Sequence, residues 1–182
     1  MNKLLGILIG FVSLITVSSC DTAPQFGPPP YDAVGNLAID RVKIDAYLDT
    51  ARIDSLYRIH DPSGVIIIVQ QEGIGSRPIF GSVIYTDFTG SLMSDGSVFD
   101  TSYEQVAIEN DIFVEGRTYN TLSFVLGSAR ITGWDLAFAR LRPRSRARLI
   151  IPSLYGNQNS ENDSRIPSNS VLVFDIEFRG ID

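Results

Sequence analysis

The stretch GWDLAFARLRPRSRARLIIPSLYG, residues 133–156, decides how the chain is read. It opens on the only tryptophan, Trp134, inside a short apolar run that suits a helix. It continues with arginine at alternate positions, Arg140, Arg142, Arg144, Arg146 and Arg148, and closes on Pro152, Tyr155 and Gly156. Alternation puts one set of side chains on one face of a strand. From Arg144 onward the arginines are expected on a solvent face, with Ala147 and Leu149 turned inward. The earlier ones fall at the end of the helix, where positive charge suits the dipole. Two readings compete: a basic strip for a polyanion, or the frame of a pocket that works without a catalytic base. A net charge of −6 over 182 residues speaks against nucleic acid as the partner. The 21 acidic residues offer partners to a solvated arginine face.

On both sides of this stretch the texture is β. GVIIIVQQEG from Val65 is a β-branched run closed by glycine, and GSVIYTDFTGSLMSDGSVFDTS reads as two strands around Ser94-Asp95-Gly96. LSFVLG, RARLIIP and VLVFDIEFRGI supply further strands. The fold class is therefore α+β, an antiparallel sheet wrapped around one short helix. Ahead of the sheet, Leu37, Ile44, Leu48 and Ala51 share a helical face, predicting a helix over about 37–50 that docks on the domain or pairs with another subunit. The single histidine, His60, falls in the turn-like HDPSG, and no metal-ligand constellation is visible. The reading requires neither metal nor cofactor.

The N-terminus is not fold. Lys3, an apolar run from Leu4 to Val17 and small residues have the shape of a secretory signal over residues 1–19. Val17-Ser18-Ser19-Cys20 resembles a bacterial lipobox, which implies cleavage before Cys20 and its acylation. The competing reading is an ordinary signal peptide with an incidental cysteine. With one cysteine, no disulfide forms within the chain. A Pro- and Gly-rich tether completes residues 20–36, a helix and leading strand occupy 37–73, and the main domain runs over 74–182.

The order of short motifs in that domain is distinctive. It runs Phe88-Thr89-Gly90, Asp95 to Ser102, Phe124 to Gly127, Ile131-Thr132-Gly133-Trp134-Asp135, Ala147 to Pro152, Tyr155-Gly156, Ile166-Pro167 and Leu172 to Glu177. This resembles the FKBP-type peptidyl-prolyl cis-trans isomerases, and the leading segments resemble those of bacterial envelope members. The resemblance implies a five- or six-stranded sheet curled around the helix near Trp134, with a proline-binding pocket between them. Carried over by position, Trp134 is the pocket floor. Phe88, Phe99, Phe124, Arg130, Ile131, Ile166 and Phe174 are substrate-binding walls and rim, and Tyr155 belongs with them. Asp100 is the polar residue, and the Ile131 N–H and Tyr155 hydroxyl are donors to substrate carbonyls. Asp100, Tyr155 and Trp134 are the catalytic set. The implied partners are proline-containing polypeptides, macrolide-type inhibitors, and a bacterial envelope membrane reached through Cys20.

The chemistry agrees with such a site. An amide C–N bond resists rotation by about 18–20 kcal/mol because of its partial double-bond character. Catalysis needs only tighter binding of the twisted amide than of the planar one. Twisting removes resonance and leaves a less polar carbonyl, which a dry aromatic pocket favours. Some positions depart from the family pattern. Phe88 replaces a common tyrosine, Leu122 a frequent aromatic, the segment 103–121 is long, and the rim segment 157–165 is polar. Two functions stay open: a prolyl isomerase of the envelope, or a binding or assembly module that keeps the pocket.

Overall fold

The computed structural model describes residues 30–160 and 163–182; the signal segment, Cys20 and most of the tether lie outside them. Among the described residues one antiparallel sheet carries seven strands. They are β1 (Tyr57–His60), β2 (Ile66–Gln71), β3 (Val83–Leu92), β4 (Val98–Thr101), β5 (Leu122–Val125), β6 (Arg146–Ile151) and β7 (Leu172–Ile181). The order is β1-β2-β6-β7-β3-β4, and β5 also pairs with β3. The sheet thus exceeds the expected five or six strands. The addition at the leading edge is β1, a short exposed strand whose sequence carries little alternation. His60 ends this strand instead of sitting in the turn that follows it.

Period-two alternation separates the two faces. Ile67 and Val69, then Ala147, Leu149 and Ile151, then Leu172, Phe174, Ile176 and Phe178 point to the concave side and form the main core. Ile66, Ile68, Ile150 and Val173 point the other way and form a second cluster. That is why β2 is apolar at every position from Ile66 to Val69: both of its faces are covered there.

The concave core is filled by α3 (Thr132–Phe138), whose Gly133, Trp134, Ala137 and Phe138 are buried. The helix lies so close to β6 that a Cβ on Gly133 would stand 2.4 Å from Cγ2 of Ile151. Only glycine permits that approach.

The second cluster is covered by α1 (Ala33–Thr50), which docks through Ile44, Tyr47 and Leu48. It begins at Ala33, ahead of the expected residue 37, because Asp32 caps it by accepting a hydrogen bond from the Gly35 N–H at 2.9 Å. The long segment 103–121 contains α2 (Glu104–Glu109). Its buried anchor is Ala107, whereas Ile108 and Phe113 are largely exposed and Phe113 stacks on Tyr119.

Among the described residues, three of the five arginines prove to be paired with carboxylates. Arg148 makes two 2.7 Å hydrogen bonds to Asp175, Arg146 lies 3.7 Å from Glu177, and Arg140 donates to Asp61 at 2.9 Å. Arg144 precedes β6 in a left-handed turn (φ 67°), so it is not on the strand face predicted for it.

Candidate functional site

A cleft of about 570 Å³ opens between α3 and the concave face of the sheet. Trp134 lies at its base, 5% exposed, because α3 presents that side chain toward the β3–β7 pair. Phe88 from β3 meets the Trp134 ring edge-on at 5.2 Å and 77°. Phe174 from β7 does the same at 5.2 Å and 87°. Phe124 from β5 packs at 5.4 Å, and Phe99 from β4 stands edge-to-face on Phe174 at 5.6 Å. Each such pair adds about 0.5–1.5 kcal/mol beyond the area it buries, so the floor is rigid. The Trp134 indole N–H is buried with no partner among the described residues.

The polar side is built from Asp100, in β4. Its Oδ1 accepts from the Thr101 N–H at 2.8 Å and from Arg117 Nη2 at 2.7 Å. Arg117 comes from the long segment after α2 and also donates to the Thr101 carbonyl at 3.1 Å. Its guanidinium lies 4.8 Å from the centre of the Tyr119 ring. The entry to α3 is held by Asp135, whose carboxylate accepts from the N–H groups of Gly127 (2.7 Å) and Ala129 (3.3 Å). These two bonds shape the turn that leads to Ile131. The Ile131 N–H has no hydrogen-bond partner among the described residues. At the rim, the Arg165 guanidinium holds the Asp163 carboxyl below the usual carboxylate range. Arg130 is exposed on the same rim.

The structure gathers Phe88, Phe99, Asp100, Phe124, Arg130, Ile131, Trp134, Ile166 and Phe174 on the wall of one cleft. Tyr155 sits in a 3₁₀ turn, Ser153–Tyr155, half-buried against the core, directly before Gly156 and Asn157 on the cleft wall. Arg117 and Asp135 also carry site geometry, although neither was assigned to the site from the sequence. Asp135 follows the tryptophan and could have been suspected as an acid in the first turn of a helix. Arg117 could not, because it lies in the segment where the family pattern is interrupted.

The family profile for FKBP-type peptidyl-prolyl cis-trans isomerase matches residues 75–179. The chain belongs to this family. Peptidyl-prolyl cis-trans isomerase FKBP4 of Homo sapiens is 30% identical over 124 residues, covering 65% of this chain and 24% of that protein. The Mus musculus protein of the same name matches with the same identity and coverage. The chain thus spans about a quarter of the length of these curated relatives. Among solved structures, FkpA from Escherichia coli superposes with a TM-score of 0.61 at 23% identity, over 82% of this chain and 62% of that one. A peptidyl-prolyl cis-trans isomerase from Pseudomonas syringae pv. tomato gives a TM-score of 0.61 at 19% identity, over 85% and 99% of the two chains. These two likenesses bear on the fold. In FKBP terms, the cleft occupies the space between the curled sheet and its helix, and α1 lies outside the matched span.

Proposed function

We propose that this protein isomerises Xaa-Pro peptide bonds of polypeptides in the bacterial cell envelope, and that the Trp134 cleft is where it does so. The observation that carries the reading is the ring packing: Phe88, Phe124 and Phe174 around Trp134, with the Asp100 carboxylate at the side. Such a cleft offers a proline ring an apolar seat and a twisted amide a dry surround. The planar amide is more polar and is better solvated by water, so the cleft stabilises the twisted form selectively. Every 1.36 kcal/mol of that selectivity gives a tenfold rate increase. The unpartnered Ile131 N–H supplies a donor for a substrate carbonyl. No proton has to be transferred, which fits a cleft whose lining holds neither histidine nor cysteine.

The chain without residues 1–20 should accelerate cis-to-trans conversion of a proline peptide, and a macrolide-type inhibitor should compete. Absence of turnover with retained peptide binding would favour the second reading, a binding or assembly module. Its support is the polar rim and the Arg117 that occupies Asp100. The envelope location rests on the signal-like N-terminus and on Cys20 at the end of Val17-Ser18-Ser19. A Cys20→Ser variant should leave the membrane fraction; unchanged retention would sink the lipid anchor.

A further inference from the structure

The N-terminal helix reaches the cleft wall from behind. Asp40 lies on the inward stripe of α1, one turn from Ile44, where an apolar residue would pack; it is instead a carboxylate only 1% exposed. Burying that charge is costly unless its oxygens are bonded. Oδ2 accepts from the backbone N–H of Ser153 at 2.8 Å and from its hydroxyl at 2.5 Å. Lys43 Nζ stands 3.8 Å from Oδ1. The Tyr31 hydroxyl lies 2.8 Å from Ser153 Oγ. Since the serine proton goes to Asp40, Tyr31 is the donor of that bond. Burial holds the Tyr31 phenol above its ordinary pKa, so it keeps its proton.

Ser153 hands this hold forward. Its carbonyl accepts the N–H groups of Gly156 at 3.1 Å and Gln158 at 2.9 Å. The residues so framed include Gly156 and Asn157 on the cleft wall and Tyr155 beside it. A buried carboxylate on a helix outside the family span therefore ends, through one serine, at the rim of the cleft.

We propose that Asp40 is a positioning residue of the isomerase, holding the turn 153–158 through Ser153 in the conformation that completes the cleft wall. The proposal rests on the isomerase reading above. Loss of the hold lets the turn sample other conformations, so only a fraction of molecules presents a complete wall. Substrate binding then carries that fraction as a penalty: KM rises by its inverse, while kcat at saturation stays the same. General destabilisation acts differently, removing active molecules and lowering apparent kcat at constant KM.

The test uses the full chain in mild detergent. Asp40→Ala should raise KM about 10-fold or more, since two bonds to a charged acceptor are lost. Its kcat should stay within about twofold. The Gly156 and Gln158 amides should exchange faster, while those pairing β3 with β7 stay as protected as before. Asp40→Asn, whose amide oxygen still accepts from Ser153, should restore KM to within about threefold of the parent. If Asp40→Ala does not fold, Ser153→Ala, which deletes only the hydroxyl, gives the same readouts with a smaller KM rise. Unchanged exchange at the two amides, a loss confined to kcat, or an Asp40→Asn variant as impaired as Asp40→Ala would each overturn the proposal. A parent protein that turns over no peptide would refute the isomerase reading, and the exchange measurement would still decide whether Asp40 holds the turn.

Discussion

Replacing Gly90 by alanine tests how tightly the aromatic wall is built. Gly90 lies in β3 on the concave face, and a Cβ placed there would stand 2.7 Å from Cε1 of Phe174 and 2.7 Å from Cζ of Phe99. Carbon atoms rest at about 3.5–4.0 Å, so at least one ring must retreat by roughly 1 Å. Neither has free space on the core side: Phe99 is 3% and Phe174 1% exposed, and they already pack edge-to-face. Overpacking of this kind costs about 1–3 kcal/mol. The smaller conformational freedom of the unfolded alanine chain returns about 0.4–1 kcal/mol. The expected net loss is about 1–2 kcal/mol. Gly180→Ala is the matched control in β7, where nothing lies within 4 Å and φ is not in the left-handed region. That variant should be stabilised by about 0.4–1 kcal/mol. Urea unfolding at constant m reads both changes. Because both displaced rings line the cleft, Gly90→Ala should also lose roughly 10-fold in turnover under conditions where it is fully folded. A Gly90→Ala protein at least as stable as Gly180→Ala, with full turnover, would refute the reasoning.

Trp134→Ala removes the cleft floor and its contacts with Phe88, Phe124 and Phe174, so turnover should vanish and stability fall by about 3–5 kcal/mol in urea titration. Neutralising Arg144 and Arg146 together should leave peptide turnover at the parent rate and shift stability by less than about 1 kcal/mol, as expected for an exposed turn residue and a 3.7 Å surface pair. Isomerisation followed without a coupling protease should be flat across roughly pH 6–8, because no histidine or cysteine lines the cleft. At lower pH the Asp163–Arg165 pair sets a direction: its depressed carboxyl contributes stability above the unfolded aspartate pKa and loses it as pH falls through the folded value. Urea midpoints across the acid range should therefore decline with falling pH, and a sigmoid rate dependence within pH 6–8 would contradict the absence of a titrating catalytic group.

Much of this architecture was written locally. Alternation in RARLII placed Ala147 and Leu149 inward and Arg146 outward before any partner strand was known. The β-branched run over residues 65–69 marked a strand, and the structure shows both of its faces covered. The order of motifs around Trp134 carried the family resemblance, and the resemblance implied a cleft over that ring. Sequence says less where the partner is distant. The proline run obscured Asp32 as a helix cap, and the alternation of inward residues on α1 was blurred because one of them, Asp40, is charged. Its partner Ser153 is 113 positions away, and Arg117 is 17 positions from Asp100. No periodicity encodes such meetings; they exist only once the sheet has curled and its connecting segments have closed. The turn 153–158 illustrates the same limit, since its hydrogen bonds to the Ser153 carbonyl bring Gly156 and Asn157 to the wall. The strand faces and the core were legible in the residues because they follow from a repeat along one strand or helix, while the aromatic floor was legible only through the family resemblance. The tertiary structure alone decided which charges meet and which rim residues face the cleft, because those depend on where separate loops end in space.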